Sequence, residues 1–238
     1  MTSDHPLDRP IWSALATRQS QFASGGDLAR RFPADVSPFG AARDGTAPAL
    51  LALADLIPEN DELSLVELVP PTPPPGVQAT TAPCVQMTLK AFTPGGGDPT
   101  IMPLGEADFP EMLALAKLTR PGPFRARTPV MGRFLGIRDG GRLIAMCGER
   151  LAMDGFHEAS ALCTHPDHRG RGYGEALLRA VGERMLGEGA TPFLHCYAGN
   201  ADAIALYLRM GFDLRTEITY VEWSRTPGGA RPAAEGGR

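Results

Sequence analysis

The chain has 238 residues, 43% of them hydrophobic and 21% charged, enough for one large or two small soluble domains with substantial cores. A net charge of −4 removes the electrostatic reason to expect nucleic acid or an anionic membrane as a partner. Four dispersed cysteines (Cys84, Cys147, Cys163, Cys196) and five scattered histidines form no metal-ligand spacing, so no metal is expected, and the thiols read as buried and free in a reducing compartment.

The opening residues carry mixed charge and two prolines, with no apolar run behind a basic start, so no secretory signal is expected. A helix is expected over 9–22. A second is expected over 47–57, with Pro48 in the first turn, where its missing N–H costs nothing. That apolar stretch is broken by Asp55 and is far shorter than the roughly 20 residues that cross a bilayer. No membrane span and a cytoplasmic location follow as expectations. Strands are expected at 62–69 and 84–91, separated by the proline-rich run 70–76, which holds neither a helix nor a central strand.

A second Pro/Gly run, 94–99, is the expected domain boundary, because a full α/β pattern begins behind it. That pattern opens with a strand at 100–104 and a helix over 107–118. Asp108 and Glu111 in its first turn and Lys117 in its last complement the helix dipole. Strands at 133–138 and 142–151 flank Asp139, Gly140 and Gly141, a hairpin signal. A strand at 158–164, a helix over 173–186, a strand at 192–197, a helix over 201–210 and paired strands through 212–223 complete it. This order argues for a mixed α/β fold, a sheet with helices on its faces. The expected organisation is an N-terminal α/β extension over 1–98, a second domain over 99–225 and a disordered tail over 226–238.

The chemistry concentrates after the strand at 158–164. Pro166 turns the chain, and Arg169, Gly170, Arg171, Gly172, Tyr173, Gly174 and Glu175 lead into a helix with Leu177, Val181 and Met185 on one face. Alternating glycines let the backbone approach a ligand and point successive N–H groups into one concavity. Those donors run into a helix N-terminus, where the dipole favours negative charge, and two arginines stand beside it. The deduction is a pyrophosphate site. A dinucleotide fingerprint needs GxGxxG and an acidic ribose ligand; this loop reads GxGxG, and Ala198, Gly199 and Asn200 stand where that acid would follow the next strand.

The segment resembles the acetyl-CoA-binding motif of the GNAT N-acetyltransferase superfamily, Q/R-x-x-G-x-G/A, carried here by Arg169, Gly172 and Gly174. Downstream, Asn200, Ala203, Leu206, Tyr207, Gly211 and Phe212 are similar to the family's N-x-x-A-x-x-L-Y-x-x-x-G-F pattern. The resemblance spans 100–224. It implies a central mixed, mostly antiparallel sheet flanked by helices. It also implies acetyl-CoA as acyl donor and direct attack by a primary amine on a small molecule, an amino-acid derivative or a peptide N-terminus. The alternative is a non-catalytic acyl-CoA-binding module that kept the cradle and lost the chemistry.

By the same resemblance, the strand backbone at Leu162, Cys163 and Thr164 would meet the acyl carbonyl and pantetheine, and the amides from Gly170 to Glu175 would hold the pyrophosphate. Asn200 would cap the next helix and contact the donor. Tyr207 is the candidate general acid for the departing thiolate. Glu158 is the first candidate base and His195 the second, with a water-mediated route also open. The stretch from His5 to Leu15 resembles the N-terminal extension of some bacterial GNAT-like proteins. Residues 1–98 are expected to build part of the acceptor pocket or an interface, the latter allowing a homodimer. The loop 121–131, with Arg125 and Arg127, is expected to wall the acceptor, its arginines either drawing a substrate carboxylate or solvated. Acetyl-CoA at 100 times its dissociation constant is expected to stabilise the fold by about 2.7 kcal/mol, and NAD to do nothing. Calorimetry that finds no heat with acetyl-CoA would overturn the assignment.

Overall fold

The computed structural model of the chain describes residues 5–94 and 99–225. Eleven strands and five α-helices are present among them: α1 Pro10–Ala16, β1 Ser24–Gly25, β2 Ala29–Arg31, β3 Gly40–Ala42, α2 Ala47–Asp55, β4 Leu63–Glu67, β5 Val77–Leu89, β6 Met102–Leu104, α3 Phe109–Thr119, β7 Phe134–Asp139, β8 Arg142–Met153, β9 Phe156–Thr164, α4 Tyr173–Gly187, β10 Thr191–Tyr197, α5 Ala201–Met210 and β11 Phe212–Arg225. β1, β2 and β3 form a small sheet of their own. The other eight form one sheet in the order β4-β11-β5-β10-β9-β8-β7-β6. Every neighbouring pair in it is antiparallel except β9 and β10.

The expected mixed, mostly antiparallel sheet with flanking helices is thus the observed fold. Gly140 and Gly141 both take positive φ, as the tight turn between β7 and β8 requires. Leu177, Val181 and Met185 of α4 are fully buried against Met87, Leu89 and Ile144 of the sheet. Each such side chain contributes about 1.5–3 kcal/mol over its exposed state. A separate cluster packs α3, through Met112, Leu115 and Ala116, onto Phe134, Leu143 and Met146.

Three expectations change. First, the segment before the 94–99 run is not sheet-independent: β5 lies between β10 and β11, and β4 pairs with β11. The strands at 212–223, expected to pair with each other, are one continuous β11 that finds both its partners in the first 98 residues. Pro83 is tolerated inside β5 because the β10 ladder starts only at Cys84: its missing N–H falls past the end of that ladder, and its carbonyl still accepts from the Ala198 N–H at 2.9 Å.

Second, the helix expected over 9–22 stops at Ala16, and Ser20–Phe22 is a short 3-10 turn. The register of β8 on β9 shifts between Glu149 and Ala152, a bulge that interrupts the ladder. Gln19, almost fully buried, fills the gap. Its amide donates to the Arg150 and Met131 carbonyls at 2.7 and 3.2 Å and accepts from the Ala152 N–H at 3.2 Å. The chain leaves the helix to deliver this side chain. Third, a small sheet, β1 to β3, stands in 24–42, where no strand is expected, because strands of two or three residues are too short to show a period.

No helix among the described residues is long and apolar enough to cross a membrane. The tail 226–238 and most of the expected boundary, 95–98, lie outside the described residues. Because β5 sits inside the sheet, a chain lacking residues 1–97 exposes the facing edges of β10 and β11. It is expected to be insoluble or to melt without a cooperative transition by circular dichroism; a soluble fragment with a sharp transition would contradict this placement.

Candidate active site

β9 and β10 run parallel and pair through only three residues each, Phe156, His157 and Glu158 with Thr191, Pro192 and Phe193. Beyond that the strands part. β9 then bulges against β8: between Met146 and Gly148, two residues of β8, β9 advances three, from Cys163 back to Ser160. The extra residue is accommodated by Ala161 in the left-handed region, at φ 54°, a conformation uncommon outside glycine. A cavity of about 260 Å³ opens where the strands separate, its walls including Ser160, Leu162, Leu194, Cys196 and Tyr207.

The loop after β9 follows the expected form. A 3-10 turn over Pro166–His168 is capped by the His165 imidazole. Gly170 and Gly172 take φ 74° and 78°, which L side chains adopt only with strain, and a Cβ on either would meet no atom within 4 Å. The loop therefore presents open backbone. Gly172 caps α4, so the amides of Tyr173, Gly174 and Glu175 lie in the first turn, where no intrahelical acceptor exists. Arg169 and Arg171 are exposed beside it. A Cβ on Gly174 would lie 3.8 Å from Leu162 Cδ1, so loop and parted strand adjoin. An open anion cradle next to a narrow cavity suits a diphosphate joined to a thin chain.

Of the other expected residues, Leu162, His195, Asn200 and Tyr207 line the cavity together. Asn200 caps α5, its Oδ1 accepting the Ala203 N–H at 3.3 Å. Tyr207 packs on Phe212, ring centroids 6.0 Å apart. Its hydroxyl has no hydrogen-bond partner among the described residues. Burial, with Cys196 and Cys147 nearby, raises its pKa above the ordinary phenol value, so it keeps its proton at neutral pH. The Cys163 side chain turns away from the cavity into the α3 cluster, and burial pushes its thiol up to about 11. Thr164 lies beyond it, its carbonyl accepting from the Arg169 Nε–H at 3.4 Å. Burial also raises Cys196.

Glu158 is different. It is fully buried, and the Arg150 guanidinium grips it with two bonds, Nε–H to Oε2 at 2.8 Å and NH2 to Oε1 at 2.6 Å. Burial alone would raise its pKa. The Arg150 charge and hydrogen bonds, with His195 added, reverse that and hold the carboxyl at about 2. His195 is locked in turn: Nδ1 lies 2.7 Å from Glu158 Oε1 and Nε2 lies 2.9 Å from Gln86 Nε2. Arg215 donates to Gln86 Oε1 at 2.8 Å, so the Gln86 amide nitrogen must face His195 and the Leu7 carbonyl. The ring is therefore the Nδ1–H tautomer, donating to Glu158 and accepting from Gln86. Neither candidate base keeps a free lone pair toward the cavity. Arg215 continues the chain to Asp8 through an ion pair.

Sequence reading missed Arg150, Tyr197, Tyr220 and the N-terminal residues Phe39, Val66 and Cys84, all of which line the cavity. Only Arg150 carried a signal, a charged pair with Glu149 inside an apolar strand. A second, outer cavity of about 480 Å³ adjoins the first through Arg120, Gly122, Pro123, Tyr197 and Tyr220, and Asp61, Glu62 and Glu222 stand on its wall. The arginines of the 121–131 loop are already paired, Arg125 with Asp61 at 2.9 Å and Arg127 with Asp35 at 3.1 Å.

Glu158→Gln leaves the Arg150 charge buried against a neutral amide, a loss of about 3–5 kcal/mol. The carboxyl is depressed in the folded state. Its stabilisation is therefore complete above the ordinary value of 4.5 and is lost as pH falls toward about 2. Urea melts of the wild type should weaken across that window, and those of the variant should lack this component.

The comparisons with known proteins agree with this geometry. The model of the FR47-like protein family matches residues 134–221. No curated protein matches the chain. A solved GNAT-family structure from Novosphingobium aromaticivorans is 42% identical, with 94% of this chain and all of that chain covered at a TM-score of 0.88. A GCN5-related N-acetyltransferase from Kribbella flavida shares the fold over 94% of each chain at 17% identity and a TM-score of 0.61. A GNAT-family acetyltransferase from Colwellia psychrerythraea aligns with 61% of this chain and 57% of its own at 15% identity and a TM-score of 0.50. The chain belongs to the GNAT family, whose fold supports acyl transfer.

Proposed function

We propose that the protein moves an acetyl group from acetyl-CoA to a primary amine by direct attack on the thioester. The observation that carries this reading is the junction of an open glycine loop at a helix N-terminus with the cavity between β9 and β10. The amides from Gly170 to Glu175 would hold the diphosphate, with Arg169 and Arg171 adding charge. The donor supplies an activated acyl group. The bulged β9 backbone around Leu162, Cys163 and Thr164 would direct N–H groups at its carbonyl oxygen and stabilise charge that develops there. Asn200 would fix the cavity end of the donor while capping α5.

Tyr207 is the general acid in this reading. Its raised pKa keeps the phenol protonated until a thiolate forms beside it. Glu158 and His195 take a positioning role: together with Arg150 they hold β9 and β10 at the point where they part. Burial raises the pKa of all four thiols, including Cys84 and Cys196 on the cavity wall, so they stay protonated and attack through a cysteine intermediate has no support. Phe39 and Val66 line the inner cavity and Asp61 and Glu62 the outer one, which supports the acceptor-pocket role for the N-terminal segment.

A thiol-release screen against primary amines, free amino acids and short peptides tests the assignment. Release with at least one class is expected; tight acetyl-CoA binding with no release from any would support the non-catalytic module instead. Tyr207→Phe should keep acetyl-CoA affinity and lower kcat by about 10²–10⁴-fold. A loss under about threefold removes Tyr207 from the mechanism.

A further inference from the structure

An amine resembling the lysine side chain has a pKa near 10.4, so close to neutral pH it arrives mostly protonated and must lose a proton before it can attack. Glu158 and His195 are both saturated by their own partners, so a side chain that takes that proton directly has to be another on the cavity wall. Tyr220, on β11, stands where the two cavities meet and lines both. Its ring packs edge-on to Tyr197, with centroids 6.2 Å apart. Its hydroxyl lies 2.8 Å from Ser64 Oγ and donates to Glu222 Oε1 at 3.3 Å. With Ser64 donating to it, one lone pair on the Tyr220 oxygen remains free.

We propose that Tyr220 is the catalytic proton acceptor for the incoming amine, relaying to Glu222: it takes the ammonium proton on its oxygen as its own hydroxyl proton passes to the Glu222 carboxylate. The inference rests on the acetyltransferase reading above. Burial raises the Tyr220 pKa, so the phenol does not wait as a phenolate and must give up one proton to receive another. Tyr197, Glu62, Asp61, Arg125, Arg120 and Arg150, with Cys84, Cys196, His195 and Tyr207 further along the inner cavity, are the other ionisable groups around it. Glu222 also accepts a hydrogen bond from Thr80 at 3.3 Å and is half-buried on the outer cavity, so its proton can pass to solvent.

The protons balance. The ammonium N–H bond breaks with its electron pair left on nitrogen, and that pair forms the bond to the carbonyl carbon. The C–S pair leaves with sulfur, which takes the Tyr207 proton. The second proton that nitrogen loses as the amide forms replaces the one Tyr207 gave. One proton per turnover therefore leaves through Tyr220 and Glu222.

The test uses the full chain, acetyl-CoA and the most active amine of the screen. Tyr220→Phe keeps the ring against Tyr197, and Glu222→Gln changes a single atom at the outer wall. For Tyr220→Phe, kcat/KM for the amine should fall about 10²–10⁴-fold near pH 7. The deficit should close as the pH approaches the amine's own pKa, because a neutral amine needs no acceptor. Glu222→Gln should show a smaller loss with the same recovery, and acetyl-CoA affinity by calorimetry should be unchanged in both. A deficit that is constant with pH, or an active wild type matched by Tyr220→Phe within about threefold, would overturn the proton route and leave the acetyltransferase reading intact. A wild type that releases no thiol with any amine would overturn both.

Discussion

The site depends on where two parallel strands stop pairing. Glu158 and Phe193 are the last paired residues of β9 and β10, and the Glu158 carboxylate is buried beside that point with Arg150 on one side and His195 on the other. A buried ion pair gains little net stability over an apolar pair of the same shape. Its value here is geometric. Arg150 comes from the β8 bulge, Glu158 from β9 and His195 from β10, so one carboxylate ties three strands together at the base of the cavity. The remaining backbone of β9 and β10 is then free to face a ligand rather than itself.

That carboxylate is held by residues far away in the chain. His195 receives its second hydrogen bond from Gln86 on β5, Gln86 is oriented by Arg215 on β11, and Arg215 pairs with Asp8 at the N-terminus. Gln19 satisfies the β8 backbone where the bulge breaks the ladder around Arg150. Residues 5–94 are therefore part of the scaffold that sets the cavity, and they also supply Phe39, Val66 and Cys84 to its wall.

Two kinds of local structure meet at the cavity. The glycine loop is assembled from neighbours in sequence, and its open backbone follows from the absence of side chains at Gly170 and Gly172. The outer cavity is assembled from β10, β11, the residues just before β4 and the loop after α3, which come together only in the sheet. The first needs a few residues in register. The second needs the whole fold, and it is where relatives sharing the cradle are free to differ.

The division between what was legible and what was not follows the same line. The cradle, α4, the Asn200 cap, the hairpin at Gly140 and Gly141, and the position of Tyr207 on α5 depend on φ preferences, helix periodicity and short-range hydrogen bonds, which neighbouring residues determine by themselves. The partners of β11, the place of β5 inside the sheet and the burial of Glu158 depend on pairings separated by up to more than a hundred residues, for which one chain read in order carries no signal. Glu158 and His195 could be recognised from sequence as polar residues near the expected donor site. That their lone pairs are already spent was decided by Arg150 and Gln86, which only the tertiary structure brings beside them.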